Sequence, residues 1–321
     1  MSRQRHSGLS SRAIIGAFFL ALEQRGSMWT DPLMMKTMSD QASEEYKWLG
    51  MAPMMREWIG GRQAKGLREN GFTVENKKFE ATLEVSVDDI RRDKTDQIML
   101  RVRDLARRTA DHPAKLMSDL LLTAETALCY DGQAFFDTDH SEGDSGTISN
   151  DLSFDIDVDG ASVPSAEQGT TTAPGVGVME LAILNAIQAM FGFKDDQGEP
   201  LNQGATDFMV MVPVPFWTRA LAALRAPVTG QGRTNTLVAA DGFNINLQVN
   251  PRLTWTTKFA VFRTDAETKP FFWQEELPVE IAAVAEGSEL EFDEDIHRYG
   301  VKAINNVGFG FWQHACLTTL V

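Results

Sequence analysis

The stretch from Cys129 to His140 reads CYDGQAFFDTDH and decides how the rest of the chain is interpreted. Acids, a histidine and aromatic side chains crowded into a dozen residues suggest a metal enzyme, and Asp137, Asp139 and His140, with Glu142 and Asp144 beyond them, are residue types that bind divalent metals. A catalytic metal centre draws ligands from separate elements with supporting contacts, and the other four histidines form no partner motif. We therefore interpret the stretch as a structural turn held by capping hydrogen bonds.

Recognisable short sequence motifs occur in order along the chain. The group in the opening stretch is Tyr130, Asp131, Gly132, Gln133, Phe135, Phe136, Asp137, Asp139 and His140. Upstream of it are Tyr46, Trp48, Leu49, Gly50 and Pro53, then Glu57, Trp58, Ile59, Gly60 and Arg62. Between those two groups are Asn76 to Glu80 and Val87, Asp88, Asp89 and Ile90. Near the C-terminus are Lys269, Pro270, Phe271, Gln274 and Glu275, then Gly308 to Gln313 with Trp312.

The wording of these groups resembles that of the major head subunits of Mu-like tailed phages, across about residues 46 to 315. The resemblance implies an α+β protein with the Hong Kong 97-type capsid fold. It implies a structural protein that is not an enzyme, with no catalytic residue, cofactor or metal ligand.

The same resemblance implies a division of the chain into five segments. An N-terminal arm takes residues 1–45, an extended hairpin loop 46–90, and a peripheral domain with a long spine helix 91–175. An axial domain takes residues 176–265, and return strands in 266–321 complete the peripheral domain.

The resemblance also implies a function and partners. The subunit is expected to self-assemble into hexamers and pentamers of an icosahedral head shell, in the bacterial host cytoplasm, and to become part of the virion capsid. The shell would enclose double-stranded DNA without reading its sequence, without contact to a membrane, and with scaffold, portal and decoration proteins as further partners. No scaffold-sized, highly charged helical leader precedes the arm, so a separate scaffold protein is expected.

Two alternatives stay open at this stage. One is an encapsulin-like nanocompartment shell of the same fold that holds protein cargo. The other, from a different class, is a metal-dependent hydrolase that uses Asp137, Asp139 and His140.

Composition is that of a folded protein, with 43% hydrophobic and 23% charged residues in 321. The two cysteines, Cys129 and Cys316, are too few for a disulfide scaffold and favour a reducing compartment. Residues 1–130 hold 20 Lys and Arg against 18 Asp and Glu, whereas residues 131–321 hold 10 against 27. This acidic balance argues against a sequence-reading DNA binder.

An apolar run from Ala13 to Leu22 follows three arginines and superficially resembles a signal peptide. It ends in Glu23-Gln24-Arg25 without a small-residue cleavage site, and ten apolar residues are too few for a bilayer, which needs about 20. We predict a helix that docks either on a neighbouring subunit or on the core.

Periodicity predicts the elements of the first half. Apolar residues at every second position from Phe79 to Val87 indicate a half-buried strand, and Phe72 to Val74 with a turn at Glu75 to Lys77 suggests its antiparallel hairpin partner. Helical spacing then runs from Ile98 to about Thr126, and the predicted helix is interrupted at Asp111, an N-cap-like residue, and Pro113.

In the second half, residues 141–175 are rich in Gly, Ser, Thr and Asp and predict a long surface loop. A helix over 178–191, a fully buried strand over 207–213 and a helix over 216–225 follow. Strands are predicted over 245–249, 258–262, 279–284 and 307–317.

Other motifs carry little chemistry. Asp155 to Gly160 begins like a calcium loop, but its twelfth position is Ala166 instead of the bidentate glutamate, so only adventitious cation binding fits it. Gly175-Val176-Gly177 lacks the strand and third glycine of a dinucleotide site. Cys129 beside Leu128 predicts a buried, inert thiol.

Overall fold

The computed structural model describes residues 10–25, 28–46, 72–92, 96–157, 163, 165–228, 232–239 and 242–321. Its α-helices are α1 Ser11–Glu23, α2 Val87–Arg92, α3 Gln97–Ala110, α4 His112–Leu122, α5 Ser165–Gln168, α6 Val176–Phe191, α7 Trp217–Arg225, α8 Thr236–Ala239 and α9 Glu289–Glu294. Its first nine strands are β1 Met34–Met38, β2 Ser43–Tyr46, β3 Phe72–Glu75, β4 Lys77–Ser86, β5 His140–Ser141, β6 Thr147–Ile148, β7 Asp151–Phe154, β8 Gly169–Thr170 and β9 Ala173–Pro174. The remaining strands are β10 Asp207–Val212, β11 Asn244–Val249, β12 Lys258–Arg263, β13 Phe271–Val284, β14 Ile296–Phe309 and β15 Ala315–Leu320.

The long hairpin of β13 and β14 is the centre of a four-stranded sheet in the order β1-β13-β14-β4. Side chains of β14 alternate between buried and half-buried along most of its length, because one face of the sheet is covered and the other is open. The N-terminal strand β1 pairs parallel to β13, and β4 closes the other edge antiparallel to β14.

A second sheet has the order β11-β10-β12-β15-β7. The strand β10, second in this order, is buried on both faces, as its continuous apolar run predicts, and α6 packs against β12 and β15. The last strand of the chain, β15, lies inside this sheet between β12 and β7.

The apolar N-terminal run forms α1 and docks on its own chain. Ile14 and Phe18 of α1 are fully buried in a cluster with Val102 and Ala106 of α3 and Tyr299 of β14. The structure thereby decides between the two docking partners that the sequence left open. No helix among the described residues is long and apolar enough to cross a membrane.

The predicted helix over 98–126 is present as α3 and α4, with its break at Asp111 as expected. Pro113 has no N–H to continue the helical ladder, although the N–H of Lys115 donates to the Asp111 carbonyl at 3.1 Å. Asp111 occupies the N-cap position of α4 as expected, but its carboxylate caps no N–H of the helix and forms an ion pair with Arg25 instead. The helix ends earlier than predicted, at Leu122.

The predicted hairpin between residues 72–74 and 79–87 is wrong. The strand β3 pairs antiparallel with β2, so that Tyr46 lies opposite Phe72, and β4 pairs with β14. A single residue, Asn76, separates β3 from β4, too short a link for the two strands to fold back on one another. Local alternation identifies a strand but cannot name its partner.

Two further predictions need correction. Residues 141–175 are not a featureless loop, since they contain the small hairpin of β5 and β6, the edge strand β7, helix α5 and the pair β8 and β9.

The strand predicted over 307–317 is two strands separated by a 3-10 turn at Trp312–His314. The strand predicted over 279–284 is longer than expected and begins at Phe271. Short turns with mostly apolar residues give no local signal that distinguishes them from a strand.

Candidate functional site

The stretch from Cys129 to His140 forms a tight turn between α4 and β5. The N–H of Gly132 donates to the Cys129 carbonyl at 3.1 Å, and the N–H of Cys129 donates to the Gln133 carbonyl at 2.6 Å. Gly132 has φ of +91°, a backbone conformation that side chains with a Cβ rarely adopt, which explains the glycine at this position. The turn places Tyr130 against the C-terminal part of the chain and Asp131 beside His140.

Asp131 and His140 form a buried pair in hydrogen-bond contact at the centre of this site. The Nδ1 atom of His140 lies 2.6 Å from Oδ2 of Asp131, and the two side chains are 0% and 3% exposed. The imidazole is stacked on the indole of Trp312 with ring centroids 3.9 Å apart and an 8° angle between the planes. No hydrogen-bond partner for His140 Nε2 is present in the described part of the chain.

Tyr130 fastens the same turn to the segment after β14. The amide Nε2 of Gln313 donates to the phenol oxygen of Tyr130 at 2.8 Å. Burial raises the pKa of Tyr130 well above its usual value, and the nearby Glu142 carboxylate adds to the increase. The phenol therefore stays protonated and serves as a hydrogen-bonding group within the core.

Phe135 and Phe136 supply the apolar part of the site. Phe135 stacks on Phe309 of β14 at 4.6 Å between ring centroids, with an angle of 16°, and Phe136 meets Phe135 edge to face at 5.0 Å. Both phenylalanines are at most 2% exposed. The aromatic residues of the stretch are packing residues, as the strand-like and helix-like spacing of aromatics elsewhere in the chain also suggests.

Asp137 and Asp139 lie at the surface of the turn, apart from the buried pair. Burial acts to raise the pKa of Asp137, but the N–H of Thr138 and the side chain of Asp139 outweigh it, so this pKa lies below its usual value. The hydrogen bond to Asp137 raises the pKa of Asp139. Among the described residues, no three His, Cys, Asp or Glu side chains are grouped so that they could hold a metal ion.

A second junction joins the other groups of signature residues. The phenol of Tyr46 donates to Oε1 of Gln274 at 2.6 Å, and Nε2 of Gln274 donates to Oδ1 of Asn76 at 2.7 Å. Gln274 is fully buried on β13, so this chain of hydrogen bonds attaches the paired strands β2 and β3 to the four-stranded sheet. Motif residues that are distant in sequence, and that resemble those of the phage family, thus contact one another in two places.

The remaining signature residues differ in position. Asp88 lies in the first turn of α2, where it forms an ion pair with Arg92 at 2.8 Å, and Asp89 is exposed beside it. Trp48, Trp58 and Arg62 lie outside the described residues.

Two asparagines that no sequence pattern predicts also organise the site. The side chain of Asn150 accepts from the N–H of Asp137 at 2.9 Å and donates to the Phe135 carbonyl at 2.8 Å. Asn202 donates to the carbonyls of Met190 and Gln313 at 2.8 and 2.9 Å. Both lie in segments whose composition is that of loops, so no sequence signal marks either asparagine as buried.

The sequence matches the family described as Mu-like prophage major head subunit gpT over residues 11–160 and 240–319, more than two thirds of the chain. It is 36% identical over 102 residues to the major capsid protein of Escherichia phage Mu, covering 32% of this chain and 33% of that protein. It is 32% identical over 138 residues to the Mu-like prophage FluMu major head subunit of Haemophilus influenzae, covering 43% of this chain and 41% of that protein. The matched region spans a third to two fifths of the length of these relatives.

Two solved capsid structures share the fold. A chain of the procapsid of bacteriophage JBD30 superposes with a TM-score of 0.55 at 24% identity, covering 95% of this chain and 72% of that chain. A chain of the capsid of Cyanophage P-SCSP1u superposes with a TM-score of 0.54 at 10% identity, covering 92% and 88%. The expected Hong Kong 97-type fold is therefore confirmed, and the chain belongs to the Mu-like prophage major head subunit gpT family.

Proposed function

We propose that this chain is a major capsid protein that self-assembles into the hexamers and pentamers of an icosahedral head shell around double-stranded DNA. The observation that carries the proposal is membership of the Mu-like head subunit family across both ends of the chain. The fold shared with phage capsid chains supports it. The family match favours a phage head subunit over an encapsulin-like compartment, because both alternatives share the fold but only one shares the sequence wording.

The geometry of the signature stretch disfavours the hydrolase alternative. His140 is fully buried, its Nδ1 atom is engaged by Asp131, and one of its ring faces is covered by Trp312. A general base needs to reach the proton that it removes. A substrate could not reach this imidazole unless the core opened. The two buried junctions instead fasten distant segments, which suits a subunit that must hold its shape under contact with many neighbours.

The five segments from sequence analysis enter this proposal as an arm, an extended hairpin, a peripheral domain, an axial domain and return strands. The antiparallel pairing of β2 with β3 supports a projecting hairpin whose base is fixed by the buried junction of Tyr46 and Gln274. The two sheets support separate peripheral and axial parts.

An open apolar cleft supports association with neighbouring copies. The cleft has a volume of about 410 Å³ and lies between the junction of α3 and α4 and the four-stranded sheet, with Leu105, Phe79 and Val301 among its walls. Apolar surface that stays open among the described residues is available for contact with another chain. Scaffold, portal and decoration proteins are the further partners that we propose on the basis of the family.

Electron microscopy of the purified full chain, alone and with the proposed scaffold protein, tests the proposal. We expect rings, tubes or closed shells that sediment far faster than a 35.6 kDa chain. A species that stays monomeric at every salt and protein concentration, with scaffold present, would refute the proposal.

A further inference from the structure

Phe292 is 89% exposed among the described residues, which leaves a large apolar area open. It lies on α9, which connects β13 to β14 at the tip of the central hairpin. A single exposed apolar residue is common on protein surfaces. The residues near Phe292 therefore decide whether it marks a contact site.

The tip presents Phe292 on a well-held scaffold. Ser288 caps α9 by accepting the N–H of Glu291 at 3.2 Å, and Oε2 of Glu291 accepts the N–H of Gly287 at 2.6 Å. Glu286, just before the helix, accepts the N–H of Ser11 at 2.9 Å and so ties the tip to the start of α1. A short turn with both ends fastened presents its aromatic ring at a low entropic cost of binding.

Exposed carboxylates flank Phe292 in the sequence of the tip. Glu289, Asp293, Glu294 and Asp295 are all exposed. Within the described part of the chain, neither Glu289 nor Asp293 has an ion-pair partner. The tip therefore combines an apolar centre with an acidic rim.

The outer face of α3 has the opposite charge and a similar layout. Leu100 is 65% exposed, and Arg101 and Arg103 beside it are exposed without an ion-pair partner among the described residues. Leu100 and Arg103 are three positions apart and share one side of the helix. Here an apolar centre is bordered by guanidinium groups.

We propose that the α9 tip of one copy docks on the outer face of α3 of a second copy, with Phe292 packed on Leu100 and the tip carboxylates facing Arg101 and Arg103. This inference rests on the proposed function, since it names one contact between shell subunits. Apolar centres with complementary charged rims are typical of specific interfaces, and a guanidinium also binds favourably over an aromatic face. The two surfaces differ, so each copy can use both at once and the contact propagates from copy to copy.

Charge reversal tests the pairing. We expect the tip variant Glu289→Lys with Asp293→Lys, and the helix variant Arg101→Glu with Arg103→Glu, each to raise the protein concentration needed for shell assembly at least tenfold. The four substitutions combined in one chain should bring it back to within about threefold of the wild type, because the two surfaces are again complementary. A combined variant as impaired as either parent would overturn the proposal.

Two controls separate this contact from general effects of charge and from the proposed function. Asp155→Lys with Asp157→Lys makes the same change in net charge on exposed acids outside the tip and should assemble as the wild type does. Phe292→Ser keeps the charge and should also raise the required concentration at least tenfold, while leaving the thermal melt unchanged. If the wild type assembles and Phe292→Ser assembles equally well, only this inference fails; if the wild type never assembles, the proposed function fails.

Cross-linking gives a readout that does not depend on assembly yield. A mixture of Phe292→Cys chains and Leu100→Cys chains should form disulfide-linked dimers on mild oxidation of assembled particles, because the native Cys129 and Cys316 are buried. Each variant oxidised alone is the control and should remain mostly monomeric on a non-reducing gel. Absence of the mixed dimer from assembled particles contradicts the proposed contact.

Discussion

His140 lies flat on Trp312 while its Nδ1 atom contacts the Asp131 carboxylate at 2.6 Å, so one buried imidazole joins the turn after α4 to the segment after β14. Both of these segments contain sequence motifs that resemble those of the phage family. Removing one partner of a buried pair leaves the other without compensation for its lost hydration.

We therefore predict that Asp131→Ala lowers the free energy of unfolding by about 3 kcal/mol. The matched control is Asp139→Ala in the same turn, where the carboxylate is exposed and the melt should change little. Chemical denaturation of both variants followed by circular dichroism measures the difference. Equal effects of the two substitutions would show that the buried pair makes no special contribution.

Acid should destabilise the fold through His314. Burial, with Arg263 and Lys269 nearby, lowers the pKa of His314 from 6.5 to about 3. Between those two pH values the unfolded chain binds a proton that the folded chain does not, so stability is fully present above about pH 6.5 and falls as the pH drops toward 3. At about 1.4 kcal/mol per pH unit, the loss is of the order of 5 kcal/mol across this window.

The test is the pH dependence of the unfolding free energy in wild type and in His314→Gln. Glutamine keeps a polar amide in place of the ring, whose nitrogens lie 2.8 Å from Thr268 Oγ1 and 3.2 Å from Asn202 Oδ1, and it does not titrate. We expect the variant to be less stable at neutral pH and to have a shallower slope between pH 6 and 4. An unchanged slope would rule out His314 as the titrating group.

Gly308 should tolerate no larger residue. A Cβ at this position would lie 2.3 Å from Cζ of Phe272, whose ring is fully buried and packs on Tyr46 at 4.3 Å between centroids. Gly308→Ala should therefore cost about 1 to 3 kcal/mol through overpacking. Gly300→Ala in the same strand is the control, since its Cβ would meet only Thr82 Oγ1 at 3.7 Å, and thermal melts of the two variants give the comparison.

A loop replacement separates folding from assembly. Because Tyr46 lies opposite Phe72 at the open end of the pair β2 and β3, a linker of two to four Gly and Ser residues can replace residues 47–71 without disturbing the strands. We expect this variant to melt cooperatively, as the wild type does, and to fail to close shells. The measurements are circular dichroism melting and sedimentation.

A longer replacement, from Arg62 to Thr82, is the matched contrast. It removes the part of β4 that pairs with β14 from Asn305 to Gly300, so backbone hydrogen bonds of the four-stranded sheet are lost. We expect this second variant to lose its cooperative melt. A well-folded second variant, or an assembling first one, would contradict the proposed division between sheet and projecting hairpin.

The sequence by itself determined which segments are helices and which are buried strands where periodicity is long. The break at Asp111 and Pro113, the buried strand β10 and the family of the chain were all predicted correctly, because proline chemistry, apolar runs and short sequence motifs are local properties. The domain boundaries stay a prediction.

Only the tertiary structure decided which strands pair and which distant side chains contact one another. Alternation from Phe79 to Val87 is equally compatible with a hairpin to β3 and with pairing to β14, and the choice depends on a strand more than 200 residues away. The same reason explains why Asn150, Asn202 and the stacking of His140 on Trp312 could not be predicted. Each depends on groups that the chain brings together only after both sheets have formed, so nothing in the neighbouring sequence records the contact.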